Sequence, residues 1–189
     1  MYWSGNDYDR MAQLVINIYI DYNITSFPVD EKELCRKLGV KLVPYSAYPE
    51  EAQELLRKRS PDAFYSPATH NTPPTIFYND RVESYERKRY SIFHEIKHYV
   101  NNDTEDSDFE DNMADYFARY FMCPIPYLIK ANINDELTLI SDHGVSCEAA
   151  GYAINNVRNR RAKYGDMIFD YEQPLIDLLF PDIFKEECL

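Results

Sequence analysis

The sequence predicts an α+β fold in which N-terminal helices and a small three-stranded sheet precede a helical half. Three observations carry that prediction. Most segments place apolar residues at helical spacing. Short β-branched and aromatic runs occur between residues 40 and 78. Two long helical patterns then follow with no strand between them, an order that segregates sheet from helices. With 189 residues, 45% of them hydrophobic, the chain has material for one domain-sized core.

Residues 8–22 carry a stripe of Met11, Leu14, Val15, Ile18 and Tyr19, which predicts a helix that Asp7 can cap. Pro28 breaks the chain. Asp30 then caps a short helix with Leu34, Cys35 and Leu38 inward, and Gly39 ends it. Residues 40–43 alternate and predict a strand. Pro49 opens a third helix that stops before Pro61. Residues 63–65 and 75–78 predict two further strands, separated by a loop holding three prolines and followed by an Asn79-Asp80 turn.

A long helix is predicted from Ser84 to about Asn101, then a polar turn, then a second long helix over 109–122 stopped by Pro124 and Pro126. Further helices are predicted over 126–131, 135–141, 146–163 and 174–180. Ser146 is placed to cap the third of these. The expected organisation is a single domain over 1–189, with a catalytic core in 1–130 and a C-terminal helical extension in 131–189.

The net charge of -12 argues against a surface that tracks phosphates, which needs clustered Lys and Arg. The basic clusters at 57–59, 87–89 and 158–163 are short and fall on helices, where solvated charge is the default reading. The N-terminal stretch lacks a basic region followed by an apolar run, and the longest apolar stretch, 14–20, is too short to span a bilayer. The expectation is a cytoplasmic protein without direct nucleic-acid or membrane contact. Its four cysteines are expected to be reduced, with Cys35, Cys123 and Cys147 in the core and Cys188 near the end.

The chemistry concentrates in the segment His94-Glu95-Ile96-Lys97-His98. Residues four apart share a helix face, so His94 and His98 can hold one cation while Glu95, about 100° round, stands beside it. Two imidazoles that bind metal and a carboxylate that handles the proton of water are what a zinc peptidase needs. A catalytic zinc usually takes a third protein ligand. The next helix supplies candidates: Glu110 lies within its apolar stripe, and Asp111 and Asp115 sit at its edge. Asp111 and Asp115 are four apart, so one can bind metal while the other orients a ligand imidazole. His70 and His143 are expected to be surface loop residues.

Three blocks resemble the ImmA/IrrE family of bacterial zinc metallopeptidases. They are residues 75–79 with 87–93 leading into the metal helix, the segment 94–98 itself, and the block 111–118 that closes with Phe121, Met122, Cys123 and Pro124. The last looks like the family's acid-x-x-Ala-Asn/Asp-x-Phe-Ala segment ending in Met-Pro. Specific similarity covers roughly 74–124.

The resemblance implies a zincin-type pair of active-site helices against a small mixed sheet. It also implies Zn2+ as cofactor and a helix-turn-helix repressor protein as substrate, in proteins often encoded on phages or conjugative elements. By position it puts the third ligand on Asp111, where the family usually has Glu, with Glu110 as the alternative. Glu95 is then the general base and Asp115 orients a ligand imidazole. Lys97 is a second departure, standing where the family commonly has Gly. A non-catalytic anti-repressor that keeps the fold is the competing expectation.

Overall fold

The computed structural model describes residues 5–103 and 107–181. It is an α+β structure whose sheet has three strands, as predicted. The chain divides into two compact units: Asp30–Ala118, and Met1–Val29 together with Arg119–Leu189.

The first of these units carries the sheet. Helix α2 (Glu31–Leu38) starts where the Asp30 side chain accepts from the backbone of Lys32 and Glu33, and stops where Gly39 turns left-handed at φ 76°. Both ends follow from local chemistry, since a short carboxylate satisfies the orphan N–H groups and glycine tolerates positive φ. Strand β1 (Lys41–Pro44) follows. Helix α3 (Glu50–Arg59), opened by Pro49, leads to β2 (Ala63–Ser66) and β3 (Thr75–Tyr78).

The strand order is β1-β3-β2. β3 runs parallel to β1 and antiparallel to β2, so the sheet is mixed and β2 is an edge. Helix α4 (Tyr85–Val100) packs on β2 and β3. It begins at Ser84, whose hydroxyl accepts from the Arg87 N–H at 3.1 Å. Ile92, Phe93 and Ile96 are its buried apolar face. Arg89 is also buried, and its Nε donates to Glu31 at 3.2 Å. Helix α5 (Asp108–Met122) follows, with Met113, Ala114, Phe117 and Ala118 buried.

The other unit is helical. Helix α1 (Gly5–Asp21) buries Met11, Val15, Ile18 and Tyr19 of the stripe expected from the sequence, and leaves Leu14 half-buried. Asp7 lies within its first turn instead of capping it, because the helix begins earlier. Helices α6 (Ile125–Lys130), α7 (Glu136–His143), α8 (Cys147–Tyr164) and α9 (Gln173–Leu179) complete the unit. α1 and α6 pack on α9, and α7 on α8. The Tyr19 hydroxyl donates to the Phe121 carbonyl at 2.6 Å.

Two sequence expectations are corrected here. His143 is buried, not a surface loop residue; its ring lies 4.2 Å from that of Phe27, and its Nδ1 donates to the Met122 carbonyl at 2.8 Å. Cys147 is exposed, because it opens α8 on the solvent side, whereas Cys35 and Cys123 are buried. Cys188 lies outside the described residues. Among the described residues no helix is long and apolar enough to cross a membrane.

Candidate metal centre

Helix periodicity puts His94 and His98 one turn apart on α4, with ring centroids 5.1 Å apart. α5 brings Asp111 to the same place. Its Oδ1 lies 3.8 Å from His94 Nε2 and 3.6 Å from His98 Nε2. The three residues offer ligand atoms that all fall within 4.8 Å of one another. In a tetrahedral zinc shell with bonds near 2.0–2.1 Å, ligand atoms stand about 3.3 Å apart. The trio is therefore close to a coordinating geometry. Asp111 reaches both imidazoles despite its short side chain, because α5 begins beside the metal face of α4.

The chemistry of the donors fits a divalent metal. Each imidazole has its Nδ1 on a carboxylate: His94 on Asp115 Oδ1 at 3.0 Å, and His98 on Asp103 Oδ2 at 2.8 Å. An ionised carboxylate only accepts, so each Nδ1 is the N–H donor and each Nε2 keeps its lone pair for a cation. Tyr90 donates its hydroxyl to the same Asp115 oxygen at 2.7 Å, which fixes that carboxylate from the other side.

Asp103 escaped the sequence reading. It follows Asn102, whose left-handed backbone at φ 52° turns the chain back, so that the Asp103 N–H bonds the His98 carbonyl at 3.0 Å. An Asn able to adopt positive φ, four residues past the motif, was the available signal.

Glu95 stands beside the trio, half-buried, its Oε2 accepting the Tyr65 backbone N–H of edge strand β2 at 2.7 Å. Burial pushes its carboxyl above the ordinary value, against the pull of His94, His98 and the Tyr65 N–H. For His94, burial works against the charged form, but the Asp115 hydrogen bond and the nearby carboxylates leave it above the ordinary value. Burial alone would raise Asp103; Lys97, Asn101 and His98 hold it below the ordinary carboxylate range.

Glu110 and Lys97 are brought together. The Lys97 ammonium bonds the Glu110 carboxylate and, at 3.1 Å, the Glu110 carbonyl. Glu110 is thus engaged by an ammonium and stands outside the converging trio. Lys97 is fully buried, with its ammonium engaged by Asp103 and Glu110. His70 is exposed in the loop before β3, as expected.

The comparison with curated proteins returns no match. The family profile of Peptidase_M78, the IrrE N-terminal-like domain, matches residues 35–155, a span that holds every residue of this centre. That span is more than half of the chain, so this protein belongs to the IrrE N-terminal-like domain family of metallopeptidases.

Proposed function

We propose that the chain is a zinc-dependent metallo-endopeptidase of the cytoplasm that cleaves a helix-turn-helix transcriptional repressor, with residues 1–189 working as one metallopeptidase domain. The observation that carries this reading is the convergence of His94, His98 and Asp111 beside the half-buried carboxylate of Glu95. Two imidazoles and one carboxylate are a donor set that zinc favours in catalytic sites. Bound there, zinc would supply a Lewis acid for the scissile carbonyl and lower the pKa of water.

The protein's own groups divide the remaining work. Asp115 and Asp103 hold His94 and His98 in the tautomer that offers Nε2. Tyr65 fixes one oxygen of Glu95, and we assign the other to accepting the proton of the attacking water and passing it to the leaving nitrogen. Burial of Glu95 raises its proton affinity, which suits a base that must also give the proton back. A protein substrate follows from the peptidase family, and the repressor is the form of it that the sequence resemblance implies. The net charge of -12 favours reaching regulation through that protein over reaching it through DNA.

Elemental analysis should find one zinc per chain in the wild type and none in His94→Ala. The repressor to test is a helix-turn-helix protein encoded beside this gene. Glu95→Gln should keep zinc and lose cleavage by about 100- to 10,000-fold. A wild type without zinc would overturn the metal reading. Undiminished cleavage by Glu95→Gln would remove Glu95 as the base. A stoichiometric effect on the repressor without cleavage, unaltered in Glu95→Gln, would point to an anti-repressor that acts by binding.

A further inference from the structure

Lys97 is a cation buried to zero exposure one residue from a candidate metal ligand. An ammonium has three protons to donate, and an unpaired one in the interior is costly. All three have acceptors here: Asp103 Oδ2 at 2.7 Å, the Glu110 carboxylate, and the Glu110 carbonyl at 3.1 Å. Two of these belong to α5, the helix that carries Asp111, and the third belongs to the turn that follows α4.

The acceptor on Asp103 matters most. Oδ2 is the same atom that meets His98 Nδ1 at 2.8 Å. The other oxygen, Oδ1, is taken by the Asn101 amide at 2.6 Å. An ionised carboxylate only accepts, so His98 Nδ1 donates and Nε2 carries the lone pair as long as the ammonium balances the buried charge of Asp103 and holds its Oδ2 against the ring. His94 has a different support, the Tyr90 hydroxyl on Asp115, and owes nothing to Lys97.

We infer that Lys97 is a positioning residue of the metal centre: by gripping Asp103 and Glu110 at once, it fixes the His98 tautomer and keeps Glu110 out of the coordination shell, leaving Asp111 as the carboxylate ligand. The inference rests on the metal reading above, yet it concerns an arrangement present without metal. The grip also ties the end of α4 to the start of α5, the two segments whose separation sets the distance from Asp111 to the imidazoles. Loss of the ammonium leaves the buried Asp103 carboxylate facing the half-buried one of Glu110, which drives them apart and releases Glu110 toward the cation.

The test uses Lys97→Met, and the paired variant Lys97→Met with Glu110→Gln in case the single variant does not fold. The pair removes one positive and one negative charge, so local charge balance returns while the grip on Asp103 stays broken. Nitrogen-resolved NMR of the metal-free protein reads the tautomer of each histidine. The wild type should show His98 protonated on Nδ1 alone, and both variants should show a mixture, with His94 unchanged as the internal control.

Competition with a chromophoric chelator should show zinc held about 10- to 100-fold more weakly in the variants, the usual scale for groups that orient a ligand. Three results would overturn the inference: an Nε2-protonated His98 in the wild type, a His98 tautomer that survives in the variants, or full recovery of zinc affinity in the paired variant. A wild type that binds no zinc defeats the metal reading instead, and the metal-free tautomer still decides the role of Lys97.

Discussion

Each compact unit buries a strong ionic cluster, Arg160 with Glu172 in one and Lys97 with Asp103 in the other, and these two clusters serve opposite ends. In the helical unit, Arg160 makes a two-pronged bond to Glu172 at 2.6 Å for each contact, and Glu172 also accepts the Phe169 N–H at 2.9 Å. Glu172 has no exposed surface, and the Arg160 guanidinium lies 4.0 Å over the Phe169 ring. Every partner in that cluster is structural, so its charge closes upon itself and pins α8 to the segment before α9. In the sheet-bearing unit, the charge of Lys97 is passed through Asp103 to His98, whose far nitrogen faces Asp111. A buried ion pair that ends on backbone and carboxylate is a lock. One that ends on an imidazole with an open nitrogen prepares a ligand.

Breaking the lock should produce the largest change in stability. Arg160→Met leaves Glu172 charged, buried and uncompensated, at a cost of about 3–5 kcal/mol in urea unfolding. Zinc affinity of the folded fraction should not change. An equal loss of zinc affinity would erase the distinction between the clusters.

Asp115→Asn works on the other side of the comparison. It should weaken zinc by about 10- to 100-fold through His94, with a smaller loss of stability than Arg160→Met. Zinc binding at wild-type strength would mean that Asp115 does not orient His94. A third change sits between the two kinds. Ser84→Ala removes the cap of the metal-bearing helix and should cost about 1 kcal/mol in stability while leaving zinc affinity intact, because the cap lies more than two turns before His94.

The smallest effect is invisible at neutral pH. Burial, aided by the charges of Glu31 and Asp30, pushes the Cys35 thiol up to about 12, against an ordinary value of 9.0. Above the ordinary value the unfolded chain loses a proton that the folded chain keeps. Stability from this group is therefore full below pH 9.0 and lost as pH rises toward about 12. Cys35→Ala should flatten that part of the alkaline stability curve. An unchanged slope would assign it to other groups, among them Tyr45, whose hydroxyl burial also pushes up to about 12.

What was legible in the sequence was local. Asp30 and Gly39 bounded α2 because a cap and a left-handed turn are decided within a few residues. Helical spacing put His94 and His98 on one face, whereas Asp111, on the next helix, was set apart from Glu110 and Asp115 by the family resemblance alone. Asp103 was not legible, because its position depends on the backward turn at Asn102. Lys97 stood out only as a departure from the family's Gly, since nothing in its neighbours shows that two carboxylates close over it from outside α4.

His143 read as a loop residue because its burial depends on Phe27, more than a hundred residues away in sequence. The division into units was hidden for the same reason. Helix α1 joins helices at the far end of the chain, and the division between the two compact units falls within α5.

The bond from the Tyr65 N–H to Glu95 has a further use. That amide lies on an edge strand, where a strand's outward N–H groups ordinarily face water or an incoming chain. Here it is spoken for by the carboxylate. The Tyr65 amide proton is consequently a built-in gauge of the base. Its chemical shift and its exchange rate with solvent should follow the charge and position of Glu95 through metal loading, substrate binding and turnover, at a backbone site that needs no added probe.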